Sequence, residues 1–401
     1  MKKKVIFFYK NLITYGGAEK LLIREINLIA EKKNIEVSLY SFAICEDIKE
    51  RLSGSVIMLA DQTRYKARDY FTQVIKLIQF YRLLVIGQYD LLISASGILE
   101  AGLLCKLTNT NYSFELHHPI VMLPMDSYRS ARQLREKINE SYPESWEHNT
   151  HTRRPINALR SDIEYLAYRY FLKGANNLYV LSDFARIEKL KLLNVDSLVL
   201  QGGVDFDEHF KTKEYIDSGS QCKQKLFTFC SIGRIAPEKN IELMIESFAL
   251  LAQQITHVRL DLYGHGDPDY VSSLKAICSN RGVHYNVQFH GYIADQDLSD
   301  TLSKSGAFLY TQYADYSIAV FEALIAGCPV VLWENCWLPK GCLTENSVYL
   351  SKLNCEDYAA AMLQAYNDRS AARKSLITED FFSYQSWEKR VDDLLQHEQL
   401  Q

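Results

Sequence analysis

At 401 residues the chain is longer than most single domains, and two are expected. Its 47% hydrophobic and 23% charged residues are ordinary for a soluble globular protein. A net charge of -4 lacks the basic footprint of wholesale nucleic-acid binding, so no nucleic-acid partner is expected.

The nine cysteines are scattered singly, and no pair has the two-residue spacing of a zinc knuckle or redox motif. An odd number, mostly inside apolar runs such as Phe229-Cys230-Ser231, fits reduced, buried thiols in a cytosolic protein. The start, Met1 to Tyr9, mimics a signal peptide, but its apolar run is short and is interrupted by Lys10 and Asn11. It reads as a first buried strand. No apolar run approaches the ~20 residues of a membrane span. The expected location is cytoplasmic, and any membrane contact is peripheral, at the inner face.

In chain order, short apolar runs alternate with helical patterns. The first half offers strands at Val5–Tyr9, Val37–Phe42, Leu91–Ser94, Ser113–His117, Asn177–Ser182 and Leu198–Leu200. The second offers Phe227–Ile232, Val258–Tyr263, Val287–His290, Ala307–Tyr310, Val330–Trp333 and Val348–Leu350. Near-continuous apolar strands separated by helices imply parallel sheets covered on both faces. The fold class expected is α/β, with two doubly wound, Rossmann-like domains facing across a cleft. The domains are 1–205 and 225–383. Residues 206–224, polar and without periodicity, read as a linker. Trp387, Val391, Leu394 and Leu395 at helical spacing make 384–401 a closing helix that packs back on the first domain.

The candidate motifs follow predicted strands, where ligands of open parallel sheets sit. Gly16-Gly17-Ala18-Glu19 leads into a helix running to about Lys32, whose N-terminus favours anions; a simple turn reads equally there. The third glycine of the dinucleotide fingerprint is missing, which speaks against a nicotinamide enzyme. Glu115-Leu116-His117-His118-Pro119 ends another strand and offers a histidine to a sugar hydroxyl or proton, against one core and one solvated histidine.

Arg129, Arg132, Arg135, Arg153, Arg154 and Arg160, mixed with Glu136, Glu140, Glu144 and Glu147, read as a solvated helical insertion. An anionic lipid surface or a phosphorylated acceptor is the alternative reading.

Gly233-Arg234 leads to Pro237-Glu238-Lys239. Gly233 permits a tight exit from its strand, and Pro237 suits a first helical turn. Ile241, Met244, Ile245 and Phe248 form the buried face of the helix that follows. Arg234 forks onto a phosphate and Lys239 adds a second charge; a loop with two solvated cations is the plainer reading. Gly264-His265-Gly266 brings backbone near the same edge or makes an ordinary turn. Ser317-Ile318-Ala319 begins a further helix with free N–H groups for a phosphate. Glu322, one turn along, accepts ribose hydroxyls or lies on a helix surface.

Together these residues resemble the retaining glycosyltransferases of family 4, which have the GT-B fold, over nearly the whole chain and in order. Gly16-Gly17-Ala18-Glu19 looks like the family's glycine loop. Tyr179 to Ser182 and Gln201-Gly202-Gly203-Val204-Asp205 look like its strand-end serine and hinge. Gly233-Arg234 with Pro237-Glu238-Lys239 looks like its phosphate segment, Leu262 to Gly266 like its Gly-x-Gly loop, and Glu322 to Val330 like the helix after its paired glutamates.

The resemblance implies a sugar moved, with retention, from a nucleotide-diphosphate sugar to a glycan or lipid-linked acceptor. It points to bacterial surface polysaccharide. Arg234 and Lys239 would bind the donor diphosphate, and Glu322 the ribose. His117 or His118 would be the cleft histidine, with His118 preferred. The donor phosphate would take the acceptor proton in a front-face attack, and no metal or other cofactor is required. The remaining donor contacts would come from Gly16, Gly17, Gly233, Gly264, Gly266, Asp315, Ser317, Ile318 and Ala319. One departure stands out: the first of the family's two glutamates falls on Ala314, with Asp315 beside it. Ala314 motivates an alternative, a non-catalytic nucleotide-sugar-binding subunit. A sugar-nucleotide epimerase of the same fold is the third reading.

Overall fold

The computed structural model describes residues 2–13, 15–59, 70–117, 155–203, 226–312, 316–334, 336, 338, 342–370, 376–377 and 386–400. These fall into two compact units. The first draws on the described residues up to 117, on 155–203 and on 386–400; the second draws on those from 226 to 377. The linker at 206–224, His118, the Arg- and Glu-rich stretch up to Arg154, Ala314 and Asp315 lie outside the described residues.

In the first unit the strands are β1 (Lys3–Phe8), β2 (Asn11–Leu12), β3 (Ile35–Tyr40), β4 (Ala43–Ile44), β5 (Ile57–Met58), β6 (Leu91–Ser94), β7 (Tyr112–Leu116), β8 (Leu178–Val180) and β9 (Leu198–Val199). Seven form one sheet in the order β5-β3-β1-β6-β7-β8-β9, and β2 pairs with β4 beside it. The sheet is parallel throughout, because each crossover carries the chain back before the next strand begins. The two-residue strands β2, β4 and β5 are additions to the six runs expected from sequence. They are too short to show a period.

Alternation along β1 divides the core. Ile6 and Phe8 point to one face, with Phe80, Leu84, Ala101 and Leu104. Val5 and Phe7 point to the other, with Leu22, Ile26 and Ile29 of the Gly17–Ala30 helix and with Val391, Leu394 and Leu395. The last three come from the Trp387–His397 helix, which lies on the first unit.

Arg390 on that helix is buried. It donates from Nε to Glu25 at 2.5 Å, from Nη2 to Glu115 at 2.9 Å, and from Nη1 to the carbonyls of Leu200 and Gln201 at 2.6 and 3.0 Å. The last turn of chain before the polar stretch at 206–224 is thereby tied to the C-terminal helix. Gly203 lies against Trp387, with no room for a side chain between them.

In the second unit the strands are β10 (Phe227–Ile232), β11 (Val258–Tyr263), β12 (Val287–Gly291), β13 (Ala307–Tyr310), β14 (Val330–Trp333) and β15 (Val348–Ser351). Their order is β12-β11-β10-β13-β14-β15, again all parallel. The buried Tyr358 hydroxyl pins two neighbours: it accepts from the Tyr310 N–H at 3.0 Å and donates to the Val331 carbonyl at 2.8 Å.

In both sheets the strand order reverses beside the first strand, between β1 and β6 and between β10 and β13. Such a reversal opens a crevice at the carboxyl ends of the strands, which is where open α/β sheets bind ligands.

Candidate functional site

In the second unit, β10 runs straight into Gly233-Arg234, and β13 into Thr311-Gln312. Gly233 takes φ 151 with open space where a Cβ would stand. Arg234 is exposed, and Lys239 is half-buried. Pro237 does not open the α-helix as expected. Pro237–Lys239 is a single 3-10 turn, Asn240 turns left-handed at φ 53, and the α-helix spans Ile241–Ala252. Ile241, Met244, Ile245 and Phe248 are buried on it, as the helical spacing predicts.

The break at Asn240 aims Lys239 at the reversal of the sheet. Its ammonium donates to Gln312 Oε1, which also accepts from the Tyr310 hydroxyl at 3.1 Å. Its carbonyl accepts from Thr311 Oγ1 at 2.8 Å. Lys239 is thus tied at both ends to the strand exit on the far side of the crevice. A cation held there needs little reorganisation to meet an anion.

The Gly264-His265-Gly266 loop lies against the Gly233 segment backbone to backbone. The β10–β11 register pairs Ile232 with Tyr263, so the two exits run side by side. Gly233 N–H donates to the Tyr263 carbonyl at 3.0 Å, and Ile235 N–H to the His265 carbonyl at 2.8 Å. A Cβ on Gly264, itself at φ 140, would stand 1.8 Å from the Gly233 carbonyl oxygen; one on Gly266 would stand 2.3 Å from that of Ile235. These glycines therefore have a structural duty: they let one loop support the other. A cavity of about 360 Å³ adjoins the loop, lined by Gly264, His265, Gly266, Lys275, Phe289 and Gly291 among others.

Ser317 is the N-cap of the Ile318–Ile325 helix, so the N–H groups of its first turn point out of the N-terminal end. Ile318 is buried and Ala319 half-buried. Glu322 is half-buried in the second turn. Asp315 lies outside the described residues.

In the first unit, Gly16 caps the Gly17–Ala30 helix, and its N–H donates to Glu19 Oε2 at 3.1 Å. Gly16 and Gly17 are exposed. His117 is a core residue. Its side chain is 3% exposed, and Nε2 lies 2.7 Å from Glu115 Oε2. Burial, then Arg390, pushes its pKa down to about 3, so the imidazole is neutral. Burial, with Glu115 adding to it, raises the Glu25 carboxyl well above its usual range against the pull of Arg390. Ser182 is likewise a cap, accepting from Ala185 N–H at 3.0 Å. Sequence reasoning did not find Gln312 as a partner of Lys239, or Arg390 as the partner of Glu25 and Glu115.

Comparison with known proteins fits this geometry. Residues 213–379 match the model of the family glycosyl transferases group 1. The chain superposes on the structure of Alr3699/HepE from Anabaena in complex with UDP-glucose, with a TM-score of 0.68 at 15% identity, covering 98% of both chains. The fold is GT-B.

Among curated proteins, mannosylfructose-phosphate synthase of Agrobacterium fabrum is 30% identical over 109 residues, 25% of this chain and 24% of that protein. Alpha-monoglucosyldiacylglycerol synthase of Streptococcus pneumoniae is 22% identical over 274 residues, 66% of this chain and 61% of that protein. The chain spans between 21% and 61% of the length of the curated relatives it matches. Among the described residues of this GT-B chain, no helix is long and apolar enough to cross a membrane.

Proposed function

We propose that the chain is a retaining glycosyltransferase that moves a sugar from a nucleotide-diphosphate sugar to a glycan or lipid-linked acceptor in bacterial surface polysaccharide synthesis. The observation that carries this reading is Lys239, held across the β10/β13 reversal by Gln312 beside the exposed Arg234.

In this reading the donor diphosphate lies in that crevice. Arg234 and Lys239 take up the negative charge that grows on the leaving group, aided by the N–H groups at Ser317, Ile318 and Ala319. Glu322 accepts hydrogen bonds from ribose hydroxyls. A phosphate oxygen of the donor takes the acceptor proton as the new glycosidic bond forms on the face the diphosphate leaves. Neither a protein nucleophile nor a metal is called on, and His118 positions the reacting sugar. Retention from an α-linked nucleotide sugar gives an α-linked product, the linkage in the name of the pneumococcal relative.

A lipid-borne acceptor fits the Tyr70–Gly87 helix, which holds no Asp or Glu. It exposes Phe71, Val74, Ile78, Val85 and Ile86, with Arg82 also exposed on it. Such a face suits peripheral contact with the inner, anionic surface of a membrane.

Ala314, where the resemblance calls for a glutamate, favours a second reading: a subunit that binds nucleotide sugar without transfer. The two part on incubation of the purified protein with UDP- and GDP-sugars. Transfer or slow release of free sugar supports the enzyme; tight binding with neither supports the subunit.

A further inference from the structure

The reversal of the first sheet carries a polar constellation that the donor site does not use. Lys10 follows β1 by two residues, and Ser96, Gly97 and Glu100 follow β6, its switch partner. The Lys10 N–H donates to Ser96 Oγ at 2.6 Å, and its ammonium donates to Glu100 Oε1 at 2.5 Å. Glu100 stands in the first turn of the Ile98–Thr108 helix, which Gly97 opens in the left-handed region at φ 66. A Cβ on Gly97 would lie 2.7 Å from the Phe8 ring and 3.3 Å from Glu100 Oε2, so the glycine leaves that second carboxylate oxygen clear.

The pair sits between core and surface, with Lys10 31% and Glu100 21% exposed. An ion pair half removed from water adds little to stability, because desolvation offsets most of its attraction. After their mutual bond, two ammonium protons of Lys10 and Oε2 of Glu100 are still available to a ligand. A vicinal diol matches that set: one hydroxyl accepts from Lys10 while its neighbour donates to Glu100. An anion does not match. Glu100 already neutralises Lys10, and Glu19, which accepts from the adjacent Tyr9 hydroxyl at 2.8 Å, adds a further negative charge nearby.

We propose that Lys10 and Glu100 form a binding subsite for a neutral, diol-bearing sugar or polyol unit, the accepting end of the substrate; that last assignment rests on the transferase reading. The first unit thus selects an uncharged acceptor terminus over a phosphorylated one.

The test uses the full chain in saturation-transfer NMR. The probes are methyl α- and β-glycosides of glucose, galactose and N-acetylglucosamine, with methyl phosphate, which has no diol, as the anionic counterpart. Wild type, Glu100→Gln and Lys10→Met are compared. Thermal shifts by UDP and GDP on each protein report the donor site and the fold separately. The expected result is a signal from at least one neutral glycoside and none from methyl phosphate. Each variant weakens that signal about tenfold or more, as loss of a hydrogen bond to a charged group implies, while its nucleotide shift stays at the wild-type value. Should either variant melt abnormally, Glu100→Asp, which keeps the charge but shortens the reach, carries the same comparison.

Undiminished glycoside binding in the variants, binding of methyl phosphate alone, or no glycoside signal beside an intact nucleotide shift overturns the subsite. A missing nucleotide shift in wild type overturns the donor reading instead and leaves the glycoside comparison standing.

Discussion

Lys239 and Gln312 join the exits of two strands, β10 and β13, that are neighbours in the second sheet at the point where strand order reverses. The glutamine is an uncharged acceptor, so it orients the ammonium without cancelling its charge. Replacing Gln312 by Leu removes one of the bonds that orient the Lys239 ammonium. The expected outcome is a KM for nucleotide sugar raised about tenfold, the worth of one charge-assisted hydrogen bond, with melting within a few degrees of wild type. Steady-state kinetics on donor hydrolysis or transfer checks it.

Gly264 should be sensitive for a structural reason, whatever it gives the donor. A methyl there meets the Gly233 carbonyl oxygen at 1.8 Å and requires an L-residue at φ 140. Gly264→Ala should therefore push the Arg234 segment away from the crevice and cost on the order of 3 kcal/mol or more of stability in the second unit. Gly17→Ala, whose Cβ would meet nothing within 4 Å, is the matched control and should be close to neutral for stability. Denaturant titration of both variants decides the point.

Arg390 and Glu25 are buried partners 365 residues apart. Removing the cation strands Glu115 and Glu25 in the core, so Arg390→Ala should cost about 3–5 kcal/mol. Glu25→Gln should cost clearly less, because burial already favours the uncharged form of that carboxyl. Equal losses in the two variants, read by chemical denaturation, would refute this account of the cluster.

How much of this could be read from the chain depends on distance along it. Long parallel strands were legible because a strand buried on both faces is a continuous apolar run, as in Ala307–Tyr310. Ile57–Met58 was not, because a two-residue edge strand, exposed at both positions, shows no pattern. The Gly233 and Gly264 turns could be read as strand exits, but their contact depends on the register that pairs Ile232 with Tyr263. Between His117 and His118 the sequence gives only a slight preference for His118, the one that precedes Pro119. Only the approach of Arg390 from the C-terminal helix marks His117 as core.

The same cluster fixes a pH dependence. His117 has its pKa lowered from 6.5 to about 3 on folding, so between those values the unfolded chain binds the extra proton. That part of the stability is present above about pH 6.5 and is lost as pH falls towards 3, with a slope of at most about 1.4 kcal/mol per pH unit. Glu25 acts oppositely: its carboxyl is raised, so its contribution is present at low pH and is lost as pH rises above 4.5. His117→Gln should flatten the acid side of the stability profile, and Glu25→Gln the other. Unfolding free energies measured from pH 4 to 8 test both signs.

The claim on which the rest depends is that the Gly233–Lys239 segment grips a nucleotide diphosphate. Calorimetric titration of UDP and GDP into wild type, Arg234→Ala and Lys239→Ala tests it most directly. The account predicts that one of the two nucleotides binds the wild type and is weakened about tenfold to a hundredfold in each variant, with the wild-type fold retained. Equal affinity in all three proteins, or no binding of either nucleotide to the wild type, would contradict it.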